Sequence, residues 1–160
     1  AKEEQVTVLG STNFHKPTPS SALSMSGHIE YKVEGQEEVH ALDFEIPFNF
    51  VEMVRETPMT ATAYFEMWKS YKAEQKVEIH SSLRNTRLFA EKANKLFHVA
   101  IVDVNDVSKT ILMAGKVAGT SSHCLMEVNM TSTGCTIFFK APSSVLCRLL
   151  ADASKMFMEN

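Results

Sequence analysis

"TATAYFEMWKSY", residues 60–71, holds the single tryptophan of the chain, Trp68, among Tyr64, Phe65, Lys69 and Tyr71, with Lys72 next in the chain. Just upstream, Thr57 followed by Pro58 suits a helix start, because proline tolerates the first helical position and threonine accepts from an orphan amide. No strong breaker intervenes from Ala61 to Lys72, so the stretch predicts a helix over those residues. Wound as a helix, Ala61, Tyr64, Phe65, Met67, Trp68 and Tyr71 form an apolar arc about 160° wide, broader than one core-facing stripe requires. Lys72 falls inside that arc beside Trp68, which makes burial of this edge costly unless the ammonium reaches outward. The helix is either packed between two layers or lines a groove along the Trp68 edge, with Tyr64 and Tyr71 facing the centre.

Working toward the N-terminus, the pattern has a period of two. Leu42, Phe44, Ile46, Phe48 and Phe50 share one face of a strand, with Asp43, Glu45 and Asn49 opposite. Pro47 removes a ladder donor there, which predicts an edge strand or a bulge. Before the turn "EGQEE", Leu23, Met25, Ile29, Tyr31 and Val33 alternate with Ser24, His28, Glu30, Lys32 and Glu34, a second half-buried strand. "STNFHKPTPSS" (11–21) reads as a loop, and "VTVLG" as a short strand before it.

Toward the C-terminus, "EQKVEIH" offers a strand, and 82–95 a second helix through Leu83, Arg87, Leu88, Ala90 and Glu91. "LFHVAIVDV", "SKTILMAGKV", "SSHCLMEVNM" and "GCTIFFK" are further strands, with Asn105, Gly115 or Gly119, and Gly134 near the turns. Ser143 or Ser144 caps a last helix whose stripe is Val145, Leu146, Leu149, Leu150, Ala153, Met156 and Phe157. The expected fold class is α+β. A short antiparallel β segment (1–56) precedes a lobe (57–160) with an antiparallel sheet and helices at both ends.

Composition narrows the function. The chain has 160 residues, a formal net charge of -3 and a pI near 6.1, which removes the electrostatic term that dominates nucleic-acid binding. Cys124, Cys135 and Cys147 are odd in number and widely spaced, unlike a disulfide scaffold or zinc cluster, so buried free thiols in a reducing, cytosolic setting are expected. The chain opens without an apolar signal core, and no run approaches about 20 apolar residues.

Catalytic constellations are weak. "GKVAGTSS" (115–122) lacks the Gly-Lys-Ser/Thr order of a phosphate loop. His123 and Cys124 are adjacent in a strand and point to opposite faces. His28 and His40 lie on neighbouring strands and could meet, but two histidines do not fix a metal, and Asp43 has the wrong parity to join His40. Asp103 and Asp106 flank a turn, where such residues satisfy local amides. Folding could bring Cys124 to Cys135, or Glu127 to Asp103. In "SSHCLMEVNM", Glu127 shares a face with Leu125 and His123; it is either an ordinary solvated residue or an acidic anchor on an apolar surface, which would suit a helical peptide carrying Phe or Leu and an Arg.

"FEIPFNFVE" followed by "ATAYFEMWKSY" carries a resemblance. Ile46, Pro47, Asn49, Val51 and Glu52, then Tyr64, Phe65, Trp68 and Lys69, resemble the strand and tryptophan helix that open the platform subdomain in the appendage, or ear, of vesicle-coat adaptor large subunits. The beta-adaptin ear is the most similar, and coatomer large-subunit ears are cousins. "FFKAPSSVLCRLLADAS" resembles the last strand and closing helix of that platform. In the family a β-sandwich subdomain precedes the platform, so the resemblance implies that residues 1–56 are a partial sandwich (its final part), a reduced sandwich, or a different extension pairing with the platform. The resemblance implies a module without catalysis or cofactor, acting in the cytoplasm on vesicle or organelle membranes as part of a coat. It implies partners among accessory trafficking proteins carrying short helical motifs, clathrin for the beta type, and other coat subunits, with membrane contact only through the complex. The implied groove consists of Trp68, Lys69, Phe65, Lys72, Leu125 and Glu127, with Met113 where the family has a tyrosine. Lys76 stands where the family has an acidic residue. Met113 keeps adaptable packing but loses a hydroxyl, and Lys76 reverses a local charge. A structural coat lobe that packs within its assembly and a small cytosolic enzyme are the alternative readings.

Overall fold

The computed structural model describes the backbone of residues 5–7, 13–14 and 22–158, and side chains from 24 to 155. It divides into two compact units between Phe48 and Asn49.

In the first unit, β3 (Ala22–Lys32) is the central strand. β1 (Gln5–Thr7) and β2 (Asn13–Phe14) pair antiparallel with its two ends, at Glu30–Lys32 and Met25–Ser26. β4 (Val39–Asn49) pairs β3 as well, and among the described residues it has no other strand neighbour. Pro47 is therefore accommodated on an edge, as its missing donor demands. The β3–β4 connection turns at Gly35, whose φ of 86° suits a residue without a Cβ. Residues 11–21 were expected to form a loop, yet Asn13–Phe14 pairs with β3; the rest of that loop and the end of "VTVLG" lie outside the described residues.

The second unit begins with a 3-10 turn, Phe50–Met53, capped by the Asn49 side chain, which accepts from the Val51 amide at 3.2 Å. The elements that follow are β5 (Val54–Glu56), α1 (Ala61–Ser70), β6 (Ala73–His80), α2 (Thr86–Phe97), β7 (Ala100–Asn105), β8 (Thr110–Val117), β9 (His123–Met130), β10 (Gly134–Ala141) and α3 (Ser144–Met158). All the strands pair antiparallel, in the order β5-β8-β9-β10-β6. β8 carries β9 along one edge; its other edge is shared, β7 opposite Thr110–Ala114 and β5 opposite Gly115–Val117.

Alternation along the strands gives the sheet two chemically different faces. Ile111, Met113, Met126, Val128, Ile137, Phe139, Val77 and Ile79 occupy one face and are essentially inaccessible. α2 packs over β7 and β8 on this side, and α3 over β6 and β10. The opposite face holds a smaller cluster, in which Tyr64 of α1 packs on Leu112, Ala114 and Leu125, with Met59, Met67, Trp68, Tyr71 and Val102 around it. The result is an α+β platform with two helices on one side and one short helix on the other.

Helix ends follow local chemistry and shift several sequence-based boundaries. α1 starts at Ala61 because the Thr60 hydroxyl, three residues after Thr57, accepts from the Ala63 amide at 3.2 Å. It stops at Ser70, leaving Tyr71 and Lys72 extended. α2 starts at Thr86, capped by Asn85, so Leu83 lies outside it, and it ends at His98 with φ 54°. Its buried face is Thr86, Phe89, Ala90, Ala93 and Phe97, whereas Leu88 is half exposed. In α3 the Ser143 hydroxyl accepts from the Leu146 amide, Val145 is exposed, and Cys147, Ala151 and Ser154 join the buried side. Ser154 is tolerated there because its hydroxyl donates to the Ala151 carbonyl at 2.7 Å.

Candidate functional site

Helix α1 is ten residues long and packs on β7, β8 and β9. The same face of the sheet continues past it through Glu127 and Asn129 of β9, Phe138 and Lys140 of β10, and Glu74 and Lys76 of β6. The register aligns Leu112, Glu127, Phe138 and Lys76 in one row and Ala114, Leu125, Lys140 and Glu74 in the next. None of these β6, β9 and β10 residues is fully buried apart from Leu125. The edge of α1 thus forms a step down to an exposed, mixed apolar and charged surface.

Trp68 stands at that step. Its ring stacks on Tyr64 with centroids 5.7 Å apart and planes 20° from parallel. Tyr64 is itself fixed, fully buried, with its hydroxyl donating to the Met126 carbonyl at 2.7 Å. Burial pushes the phenol well above its ordinary pKa, and the nearby Glu127 carboxylate adds to this, so Tyr64 remains a neutral donor. On the sheet side, the Lys140 ammonium lies 5.0 Å from the Trp68 ring centroid, donates to the Trp68 carbonyl at 3.2 Å and pairs with Glu74 at 3.8 Å. These contacts hold the indole in one orientation while the residue stays half-buried. The indole N–H makes no hydrogen bond among the described residues.

Glu127 is also half-buried. Its carboxylate accepts from the Asn129 amide at 3.0 Å, and Asn129 accepts in turn from the Thr110 hydroxyl at 3.1 Å. Among the described residues no cation pairs with it. It is a positioned negative charge on the open side of the sheet.

The groove residues expected from sequence divide accordingly. Trp68, Leu125 and Glu127 are on this side, Leu125 as fully buried floor beneath α1. Phe65 is 47% exposed, in an edge-to-face contact with Tyr64. Lys69 is exposed on α1, and Lys72 is exposed beyond the end of the helix, so its expected place in the apolar arc does not arise. Met113 is fully buried and, by strand alternation, points to the α2–α3 side with Met126, its partner across the ladder. The side chain that meets Tyr64 is Leu112, one residue earlier. Sequence reading missed Lys140, the residue that holds Trp68, because a lysine 72 positions away becomes a neighbour only through the β10 register.

The other candidates fall away on geometry. Cys124 and Cys135 face the covered side, and burial pushes their thiols up to about 12 and about 11, leaving almost no thiolate at neutral pH. They are not ladder partners, since Cys135 pairs with Met130. Asp103 and Glu127 do share a row, but Leu112 stands between them. His28 does not meet His40. It bridges Asp43 and Glu30, while His40 stacks on Tyr31. Among the described residues no group of three or more metal-ligating side chains converges, and no helix is long and apolar enough to cross a membrane.

Comparison with curated proteins gives no match. A family model does match, the one described as the adaptin AP4 complex epsilon appendage platform, over residues 57–156. The matched span runs from the residue after β5 almost to the end of α3 and includes both the Trp68 helix and the sheet beneath it. It agrees with the adaptor large-subunit resemblance at the level of the appendage and is to the epsilon type. On this match over more than half of its length, the chain belongs to the adaptin AP4 complex epsilon appendage platform family.

Proposed function

We propose that this platform recruits accessory proteins to a vesicle-coat adaptor complex by binding short helical peptide motifs on the open step beside α1. An appendage platform of an adaptor complex is a protein-interaction module, and the question is which surface it uses. The observation that carries our reading is the state of Trp68, a half-buried indole clamped by Tyr64 and Lys140 with its N–H unbonded. A pre-ordered aromatic pays little entropy on binding and offers both apolar area and a donor. Glu127, positioned by Asn129 and with no cationic partner among the described residues, supplies a charge for a basic ligand residue. Phe65, Lys69 and Lys72 form the rim. Other coat subunits are further partners under this reading, and membrane contact comes through the complex.

The test is a panel of amphipathic helical peptides selected on the wild-type chain and titrated against two variants, with circular dichroism confirming that each is folded. W68A is expected to weaken binding by about 2 kcal/mol or more, roughly thirtyfold, and E127A by less, because a central aromatic anchor costs more to truncate than a flanking charge. Unchanged affinity in folded W68A protein would falsify the assignment.

A further inference from the structure

A second feature of the same face lies at its β5 end and plays no part in the Trp68 surface. The ladder pairs Arg55 of β5 with Lys116 of β8, and Lys116 with His123 of β9. Directly opposed residues of an antiparallel sheet project to the same side with Cβ atoms about 5 Å apart. Three basic side chains therefore stand in one row across three adjacent strands. Arg55 and Lys116, opposed directly, place like charges together, which opposes sheet formation. Among the described residues none of the three joins an ion pair. Glu56, next to Arg55 along the strand, projects to the other side, where its carboxylate accepts from the Asn94 amide at 2.8 Å. The clustering occurs in a chain whose net charge is -3, so it is not the by-product of a basic surface.

Arg55 is also held in place. Its Nη1 donates to the carbonyls of Glu52 at 2.6 Å and Val54 at 2.9 Å, which fixes the guanidinium against the preceding 3-10 turn. Nε and Nη2 make no hydrogen bond among the described residues. A fixed guanidinium with free donors, and a half-buried lysine and a half-buried histidine on the next two strands of the same row, offer donors for an anion with several acceptor oxygens and a charge near -2. We propose that Arg55, Lys116 and His123 form an anion site that takes the phosphate of a phosphorylated serine or threonine in a peptide partner. The site is separate from the Trp68 step and does not depend on it.

The experiment titrates the full chain with fluorescein-labelled Gly-Gly-pSer-Gly-Gly, with the same peptide carrying Glu or Ser in place of phosphoserine, and with inorganic phosphate as competitor. The phosphoserine peptide is expected to bind wild type at low salt and weaken as salt screens the contact. It should be displaced by phosphate, bind at least tenfold more weakly to R55Q/K116Q, and bind W68A as it binds wild type. K116Q alone should also bind at least tenfold more weakly, and because it relieves the like-charge pair without touching the Arg55 hydrogen bonds to Glu52 and Val54 it should melt no lower than wild type, so its loss of binding is not a loss of fold. Equal binding of the Glu or Ser peptide, equal binding by R55Q/K116Q, or no binding of the phosphoserine peptide overturns the proposal.

Discussion

The two units contain sheets written in the same period-two pattern and finish with opposite surfaces. In the first, Tyr31, Leu42, Phe44 and Ile46 line one side of the β3–β4 hairpin and remain 36% to 55% exposed. In the second, the corresponding apolar rows of β8, β9 and β10 fall to zero or near it because α2 and α3 lie across them. Alternation sets which side chains share a face; only a covering layer turns that face into a core. The difference should appear as a difference in the cost of the same substitution.

Glycine replacements give the largest contrast. Gly134 pairs with His80 at the start of β10, and a Cβ there would lie 1.8 Å from the Ile79 carbonyl oxygen, which the β6 ladder holds in place. G134A must therefore push two strands apart, and it is expected to cost about 3 kcal/mol or more, in the range of severe strain and core disruption. Gly27 looks equally crowded, with a Cβ 2.2 Å from the Phe44 ring. Yet that ring is the movable end of a partly exposed side chain, and G27A should cost about 1 kcal/mol or less. Urea denaturation of the two variants checks the order, and equal losses would mean that the Phe44 ring is as fixed as the Ile79 backbone.

Next come truncations of the apolar rows. I137A removes a fully buried side chain between the sheet and its helices and should cost about 2 to 5 kcal/mol. L42A, on a residue 55% exposed, should change stability by about 0.5 kcal/mol at most. If thermal melts show L42A to be as damaging as I137A, the face of the first sheet is covered in solution and the contrast collapses.

How far the sequence revealed this depends on the range of the signal. Strands β6 to β10 were legible because alternation is local, and Pro47 pointed to an edge because a missing donor is a property of one residue. Helix ends were less legible: Thr57–Pro58 and Thr60 both make credible starts, and only the Thr60 hydroxyl finds its amide. The Trp68 surface was half legible. Trp68, Leu125 and Glu127 could be assigned to one side by counting parity. Met113 was taken from the resemblance, although the same counting sets it on the face opposite to Leu112. Lys140 and the Arg55–Lys116–His123 row depend on ladder register between distant strands, which no local pattern encodes.

The smallest effect concerns pH and belongs to the first sheet alone. His28 Nδ1 lies 2.5 Å from Asp43 Oδ1 across the hairpin, and Nε2 lies 3.2 Å from Glu30 Oε1. Carboxylates only accept, so both ring nitrogens must donate, and the arrangement requires the imidazolium. The hydrogen bond that His28 donates to Asp43, then the one it donates to Glu30, raises the His28 pKa above its ordinary value. A raised folded-state pKa stabilises fully below the unfolded value, about 6.5, and that contribution fades as pH rises through the folded value. The β3–β4 hairpin should therefore loosen slightly above neutrality, while the helix-covered sheet, which has no such histidine bridge among its described residues, should not. Amide exchange of the two sheets at pH 6 and pH 8 reads this directly, with H28Q as the control in which the first sheet loses its pH dependence. Faster exchange at pH 8 beyond the intrinsic base-catalysed increase, confined to β3 and β4 and abolished by H28Q, is the expected result; an H28Q variant with the wild-type profile would assign the effect to another group.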